Sequence, residues 1–163
     1  MIEPIRLAFD VYCTPERAWE VWTARIGQWW PADHTVSTED GLQIFIEDRV
    51  GGRIYERTPG GHEHDWGEVT VWEPPTRLAY LWHLRRAPAD ATEVEIRFTI
   101  AEGDVGTRVE IEHRGWERLG ADGTTWRDRN FGGWSTLLPH YIAAAGGGSS
   151  PITNLITGGG PES

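Results

Sequence analysis

The chain has 163 residues, a formal net charge of −10 and ten tryptophans, and all fifteen of its basic residues are arginine. Its length predicts a single domain with a hydrophobic core, and its acidic balance argues against binding to nucleic acid or to an anionic membrane, because both need a cationic protein surface. The one cysteine, Cys13, excludes an internal disulfide and fits a reducing compartment.

The first part of the chain predicts a strand followed by two short helices. Residues 5–12 alternate between apolar and polar side chains, which is typical of a strand with one buried face. The sequence TPE at residues 14–16 places a capping hydroxyl, a proline and an acid where a helix begins, and this helix is expected to end near Ala24. A second short helical piece is expected over residues 26–30.

About six further strands are predicted before the last helix. Each is a run rich in alternating or β-branched residues, and glycine or proline turns separate the runs, as in antiparallel hairpins. The predicted strands lie within residues 42–49, 53–58, 65–73, 76–84, 92–100 and 107–116.

The last predicted element is a long helix over residues 124–145. One face carries residues spaced by three and four positions, namely Trp126, Asn130, Trp134, Leu137, Leu138 and Tyr141. Gly132 and Gly133 leave one side of this helix without side chains, so that a ligand or another backbone can approach closely. Pro139 is expected to kink the helix. Residues 146–163 are rich in glycine, serine and proline, which predicts a flexible tail.

These elements predict an α+β fold in one domain over residues 1–145. A curved antiparallel sheet of about seven strands would carry two short helices after its first strand and a long C-terminal helix over its concave face. A single helix leaves much of a broad concave surface uncovered, so we expect an apolar cavity between the last helix and the sheet.

Several strings, in this order, resemble a known superfamily. They are TPERAWEVWT followed by Trp29 and Trp30, then EDRVGGRIYER, DWGEVTVWEPPTRLAYLW, GTRVEIEHRGW and GGWSTLL, and they span residues 9 to about 143. The chain is similar to the SRPBCC (START-like, helix-grip) superfamily, and within it to the branch related to the C-terminal domain of the activator of the ninety-kilodalton heat-shock-protein ATPase. The resemblance implies a helix-grip fold with a cavity between helix and sheet, and it assigns no catalytic residue.

The tryptophan content, the covering helix and the resemblance favour binding of a small apolar or aromatic molecule in that cavity. Two alternatives stay open: a cyclase or aromatase-type enzyme that uses the same cavity, and a protein-interaction module or chaperone ATPase stimulator. The family's co-chaperone has a separate N-terminal domain, whereas four residues precede the first predicted strand here, so chaperone contact is the less favoured interpretation. A homodimer is a further expectation, because ten tryptophans are hard to bury in one small domain.

Eight residues are candidates for the wall of the ligand cavity, from their positions on the predicted elements: Trp30, Glu56, Trp66, Tyr80, Trp82, His113, Trp134 and Leu138. The polar members, Glu56 and His113, would orient a ligand. The alternatives are an ion pair across the sheet for Glu56 and a satisfied core histidine for His113. Of the adjacent Trp29 and Trp30, we expect one to pack inside and the other to border an opening.

The sequence shows no motif for a cofactor or a nucleophile. It contains no Rossmann fingerprint, phosphate loop or Gly-x-Ser-x-Gly string, and Ser135 and Thr136 have no base near them in the sequence. His62 and His64 could share an ion, but no third ligand lies at a useful spacing, so we expect no metal site. We find neither a secretion signal nor the roughly 18 apolar residues of a membrane span, so a cytoplasmic protein is expected.

Overall fold

The computed structural model describes residues 2–104 and 106–153. In chain order, the helices and strands of this part are β1 (Ile5–Val11), α1 (Pro15–Trp22), β2 (Gln43–Ile46), β3 (Arg53–Arg57), β4 (Glu63–Glu73), β5 (Arg77–Trp82), β6 (Thr92–Ile100), β7 (Thr107–Arg114), α2 (Gly123–Ala144) and β8 (Ile152–Thr153). Short 3-10 turns over Ile26–Gln28 and Ala32–His34 follow α1. Among the described residues, no helix combines the length and the apolar character needed to cross a membrane.

The strands form one antiparallel sheet in the order β2-β3-β4-β5-β6-β7-β1-β8. Strands β2 to β7 pair as successive hairpins. Strand β1 pairs with β7, so that Leu7 lies opposite Ile111. Every second residue of β7 is buried, as its alternating sequence predicts. The sheet and the long last helix confirm the predicted α+β, helix-grip fold, and β8 adds an eighth strand to the expected seven.

The helix α1 begins as its sequence predicts. The hydroxyl oxygen of Thr14 accepts a 3.2 Å hydrogen bond from the backbone N–H of Arg17. Pro15, which follows Thr14, is the first residue of the helix. The second predicted helical piece is a 3-10 turn that leads into Trp29. The indole N–H of Trp29 donates to the carbonyl of Val21 at 2.7 Å, so this ring is packed inside the protein.

Helix α2 divides into two halves with different surroundings. Apart from Gly123 at its start, its buried residues are Trp134, Leu137, Leu138 and Tyr141. Trp126 and Asn130, which lie on the same face nearer the N-terminus, are half-buried. Pro139 lies within the helix, on its exposed side. The second half of α2 therefore packs into the core, whereas the first half borders open space.

Aromatic side chains fill the concave side of the sheet under the second half of α2. The ring centroid of Trp22 lies 4.7 Å from that of Tyr141 and 5.3 Å from that of Trp29. The hydroxyl of Tyr141 also donates to the carbonyl of Ala18 at 2.8 Å, which ties α2 to α1. Each such aromatic pair contributes roughly 0.5–1.5 kcal/mol beyond the apolar area that it buries. The space left open beneath the helix therefore lies toward its first half.

Residues 146–153 continue along the free edge of β1. The backbone N–H of Asp10 donates to the hydroxyl oxygen of Ser149 at 2.8 Å, and β8 pairs with the middle of β1. At Gly148 a Cβ atom would lie 2.0 Å from the carbonyl oxygen of Asp10, so the close approach of the two backbones requires glycine. The sequence predicts a flexible tail from residue 146, but these residues pair with the sheet instead. Residues 154–163 of that predicted tail lie outside the described residues.

Candidate ligand cavity

A cavity of about 300 Å³ lies between the first half of α2, the end of β5 and the loop of residues 31–38. We call residues 31–38 the mouth loop. The volume is at the lower end of the roughly 300–1,000 Å³ that is usual for small-molecule sites. The apolar part of the wall consists of Trp30, Trp82, Leu84, Trp126, Trp134 and Leu137. The polar part consists of Asp33, His34, Arg85, Arg129 and Asn130.

Indole rings make up most of the apolar wall. The ring centroids of Trp30 and Trp82 lie 5.8 Å apart. Both rings pack against Trp66, at 5.2 and 5.7 Å. A tryptophan has only two side-chain torsions and a large flat face, so a wall of packed indoles is rigid before a ligand arrives. Of the adjacent tryptophans near the first helices, Trp29 packs inside and Trp30 borders the opening, as the sequence predicts.

The mouth loop is held in place by two side chains of the cavity wall. The indole N–H of Trp30 donates to the carbonyl of His34 at 3.0 Å. The guanidinium of Arg85 donates to the carbonyl of Thr35 through Nε at 2.9 Å and through a terminal nitrogen at 2.6 Å. It also donates to the carbonyl of Asp33 at 3.2 Å. These bonds fix the backbone that carries the acid and the imidazole of the cavity.

Glu56, on β3, holds the other end of the mouth loop and does not line the cavity. Its fully buried carboxylate accepts hydrogen bonds from the backbone N–H groups of Val36 and Ser37, at 2.6 and 2.9 Å, and from the indole N–H of Trp66 at 2.8 Å. Burial alone would raise the pKa of Glu56, but these hydrogen bonds outweigh it and hold the pKa below its ordinary value. Glu56 is therefore neither the expected ligand anchor nor part of an ion pair across the sheet. It anchors the mouth loop instead.

His113, on β7, is fully buried and satisfied on both ring nitrogens. Its Nδ1 accepts a hydrogen bond from the indole N–H of Trp134 at 3.1 Å, and its Nε2 lies 2.7 Å from the hydroxyl of Thr92. Burial, together with the charges of Arg86 and Arg114, lowers the pKa of His113 well below its ordinary value. The imidazole is therefore a neutral core group, which matches the alternative interpretation of this residue, and it does not face the cavity.

Three more sequence candidates lie in the core rather than in the cavity wall: Trp66, Tyr80 and Leu138. Trp66 sits behind the indole wall and donates to Glu56. Tyr80 is enclosed by apolar neighbours, and this burial raises the pKa of its phenol. Leu138 belongs to the second half of α2, which packs into the core. The candidates that do line the cavity are Trp30, Trp82 and Trp134.

An acid and an imidazole of the cavity wall, Asp33 and His34, lie in a row with the hydroxyl of Thr136, which is outside the wall. Nδ1 of His34 lies 2.8 Å from a carboxylate oxygen of Asp33, and Nε2 lies 2.9 Å from the hydroxyl of Thr136 on α2. The hydrogen bond from His34 lowers the pKa of Asp33. Because a carboxylate only accepts, the neutral imidazole carries its proton on Nδ1 and leaves Nε2 as an acceptor. An imidazole oriented in this way has the geometry of a general base.

The sequence gives no signal for this row. Asp33 and His34 are adjacent, but Thr136 lies 102 positions further along the chain. Their contact arises because the mouth loop and α2 flank the same cavity, and only the folded chain brings them together. Arg85 and Arg129 were also missed, because an arginine in a loop or on an exposed helix face is an ordinary surface residue. Asn130 was predicted to lie on the inward face of the helix, but it was not a candidate for the cavity wall.

The curved sheet and the long helix over it define a helix-grip protein with a cavity beside α2. A model of the family described as "Activator of Hsp90 ATPase homolog 1-like protein" matches residues 12–145, and the chain belongs to this family. A comparison with curated proteins finds no match for this chain.

Solved structures resemble the chain over most of its length. Txn09, described as an anthrahydroquino-γ-pyrone synthase complexed with SUM, is 36% identical over 76% of this chain and 84% of its own, with a TM-score of 0.54. The Aha1 dimer from Colwellia psychrerythraea is 20% identical over 88% and 96% of the two chains, with a TM-score of 0.61. Protein NE0264 from Nitrosomonas europaea is 15% identical over 86% and 92%, with a TM-score of 0.60. The last two similarities concern the fold alone.

Proposed function

We propose that this protein binds a flat aromatic molecule in the cavity beside the first half of α2. The observation that carries the proposal is the set of four indole rings around an opening of about 300 Å³. Flat apolar walls favour flat apolar ligands, because stacked rings remove the most surface from water. The relative Txn09 is described as the synthase of a compound whose name contains a fused aromatic ring system, which supports a ligand of this kind.

The size and rigidity of the cavity set the kind of ligand. A volume of about 300 Å³ suits a compact ring system better than a long lipid chain. Burial of apolar ligand surface contributes ~25 cal/mol per Å², from which the cost of ordering the ligand is subtracted. A wall that is already packed and a mouth loop that is already hydrogen-bonded keep the ordering cost on the protein side low.

The proposal is tested by titrating the purified protein with anthraquinone derivatives while following tryptophan fluorescence, together with native mass spectrometry of freshly purified protein. We expect quenching with saturation and a one-to-one complex, because the wall of the site is made of indoles. No saturable quenching across the panel, together with no bound species in the mass spectrum, would overturn it. Stimulation of a chaperone ATPase in the absence of any ligand binding would favour the interaction-module alternative instead.

A second candidate function is ring closure of the bound molecule, and the row of Asp33, His34 and Thr136 favours it. Closure of an ortho-hydroxyaryl diketone to a γ-pyrone needs a base to remove the phenol proton, attack of the phenolate oxygen on a ketone carbon, and loss of water. Nε2 of His34 is oriented by Asp33 to accept such a proton. The 36% identical relative is described as the synthase of a compound whose name contains a γ-pyrone, which supports this candidate.

Ring closure is tested with an ortho-hydroxyaryl diketone as substrate and product formation followed by mass spectrometry. We expect His34→Gln to lower the rate by about 10²–10⁴-fold, as is usual for loss of a general base. The matched control is His140→Gln, which changes an exposed histidine of α2 outside the cavity wall. Equal rates for the wild type and His34→Gln, or no product with either, would refute catalysis by this row while leaving ligand binding intact.

A further inference from the structure

The arginines of this protein divide sharply by what they contact. Within the described part of the chain, eleven of them lie within 4.0 Å of a carboxylate oxygen: Arg6, Arg17, Arg25, Arg49, Arg53, Arg57, Arg77, Arg97, Arg108, Arg114 and Arg118. The four that have no such carboxylate among the described residues are Arg85, Arg86, Arg127 and Arg129. In the described structure these four have no such partner, although the chain has 25 acidic residues and only 15 arginines.

Three of these four arginines gather at the cavity. Arg85 and Arg129 belong to its wall. The guanidinium carbons of Arg86 and Arg129 lie 5.1 and 5.0 Å from the ring centroid of Trp126, which is also in the wall. The fourth, Arg127, points elsewhere and donates to backbone carbonyls near the N-terminus. The cations that lack carboxylate partners are therefore concentrated at one site.

Each of the three is held in position without losing its charge to an ion pair. Within the part of the chain that the structure describes, Arg85 donates only to carbonyls of the mouth loop. Arg86 donates to the carbonyls of Trp82 and Asp90 and to the hydroxyl of Thr92. Arg129 makes no hydrogen bond to any described residue and is placed by its contact with Trp126. Its five N–H groups are thus available to a ligand.

The charge inside the cavity opposes the charge of the whole protein. Arg85 and Arg129 contribute two positive charges to the wall and Asp33 contributes one negative charge, so the charged side chains of the wall sum to one positive charge. A cleft with a net charge, bounded by apolar rings, concentrates the field, so that ligands of the opposite charge are drawn to it. A neutral apolar molecule would gain nothing from this arrangement.

We infer that the ligand of this cavity is an aromatic anion, whose rings lie against the indole wall and whose acidic oxygen is bound by Arg129. The inference rests on the proposed binding of a flat aromatic molecule and specifies its charge. A carboxylate fits the guanidinium through two parallel hydrogen bonds, whereas an ionised phenol offers a single oxygen. Both present an anionic oxygen to Arg129, and the probes below distinguish them.

The test compares three probes of the same shape: anthraquinone-2-carboxylate, 2-hydroxyanthraquinone and the neutral 2-(hydroxymethyl)anthraquinone. We expect the carboxylate to bind at least about tenfold more tightly than the neutral probe, which is the effect of one charge-assisted hydrogen bond. Raising the salt concentration should weaken the binding of the carboxylate and leave the affinity for the neutral probe unchanged. Tight binding of the hydroxy compound as well would extend the ligand class to acidic phenols.

Substitutions of Arg129 test whether this residue causes the preference for the carboxylate. Arg129→Gln should remove the tenfold preference, and Arg129→Lys, which keeps the charge, should retain most of it. The matched control is Arg49→Gln, which removes an exposed arginine paired with Glu47 outside the cavity wall. Equal affinity of the wild type for the carboxylate and the neutral probe overturns the inference but leaves the proposed function standing. Failure of every probe to bind overturns the proposed function itself.

Discussion

The indole N–H of Trp134, on α2, donates a 3.1 Å hydrogen bond to Nδ1 of His113, on β7. Because an indole can only donate, Nδ1 is the acceptor and the ring proton lies on Nε2, which donates to the hydroxyl of Thr92 at 2.7 Å. One neutral imidazole thus joins the helix to two neighbouring strands. Protonation would place a donor opposite the indole N–H and an unpaired charge in the core.

Stability is therefore expected to fall on mild acidification. The folded pKa of His113 is held well below 6.5, so below that pH the unfolded chain binds a proton that the folded protein does not. The free energy of unfolding should decrease by up to about 1.4 kcal/mol per pH unit as the pH falls below 6.5. Urea denaturation between pH 5 and 8 measures it.

The variant His113→Gln should lose about 2–4 kcal/mol of stability at pH 8, because buried partners are left unpaired and packing is disturbed. Its stability should also depend less on pH between 5 and 6.5. The exposed His62 provides the control, since His62→Gln should change neither quantity. An unchanged pH slope in His113→Gln would show that another group causes the acid sensitivity.

The buried carboxylate of Glu56 is expected to control the order of the mouth loop. In Glu56→Gln an NH₂ group replaces an acceptor oxygen and meets the N–H donors of Val36, Ser37 or Trp66. We expect a loss of about 1–3 kcal/mol and faster hydrogen exchange at the amides of Val36 and Ser37. Ligand affinity should fall with it.

Glu39→Gln is the matched control for this prediction, because Glu39 is an exposed acid just beyond the mouth loop. It should alter neither the exchange rates nor the affinity. If Glu56→Gln destabilises the protein while the exchange of the mouth-loop amides stays slow, Glu56 acts on the core and not on the loop.

Substitutions at the adjacent Gly132 and Gly133 of α2 should distinguish an effect on helix stability from an effect on ligand binding. A Cβ atom at Gly132 or Gly133 would meet no atom within 4 Å apart from the adjacent residues and backbone of its own helix, but only Gly133 belongs to the cavity wall. Replacement of either by leucine should stabilise the helix by up to about 1 kcal/mol, because glycine is a poor helix former. Only Gly133→Leu should lower ligand affinity, by filling the cavity. Thermal melts and fluorescence titrations of the two variants test this, and equal affinities would place the ligand elsewhere.

Glu95, on the outer side of the sheet, is expected to make the fold sensitive to strong acid. Burial alone would raise its pKa, but hydrogen bonds from Arg77 and Arg114 and the charge of Arg97 lower the pKa from 4.5 to about 2. The stabilisation is present above pH 4.5 and is lost as the pH falls from 4.5 toward 2. Glu95→Gln should cost about 1–2 kcal/mol at neutral pH, after allowance for solvent screening.

Acid titrations followed by circular dichroism compare Glu95→Gln with Glu110→Gln, which removes an acid of β7 whose hydrogen bond is to Arg108 alone among the described residues. The Glu95 variant should show a weaker dependence on pH between 4.5 and 2, whereas the Glu110 variant should behave like the wild type. Identical acid transitions in all three proteins would mean that the contacts of Glu95 with Arg77, Arg97 and Arg114 contribute nothing measurable to stability.

The fold follows from local patterns that the sequence carries openly. Residues 107–114 alternate, residues 14–16 cap a helix, and the face of α2 from Trp134 to Tyr141 repeats at three and four; each forms the predicted element. The pairing of residues 146–153 with β1 was missed, because it depends on the open edge of another strand and on a close approach at Gly148 rather than on a hydrophobic pattern.

The site was predicted less well, for a physical reason. The sequence indicates which residues turn inward, as it did for Glu56 and His113, but it does not show what they meet there. Glu56 meets the amides of a loop twenty residues earlier, and His113 meets Trp134, twenty-one residues later. Whether an inward polar group faces a ligand or a neighbour is decided by such distant partners.

The two halves of α2 also differ in which of their residues can change during evolution without loss of the fold. Changes at Trp126, Arg129, Asn130 or Gly133 alter the cavity wall without removing a buried residue, whereas Trp134 and Leu137 belong both to the wall and to the core, and Leu138 and Tyr141 to the core. Chemical preference can thus drift in one stretch of a single helix without eroding the scaffold. A library randomised at those four positions would search for new ligands at little risk of unfolding.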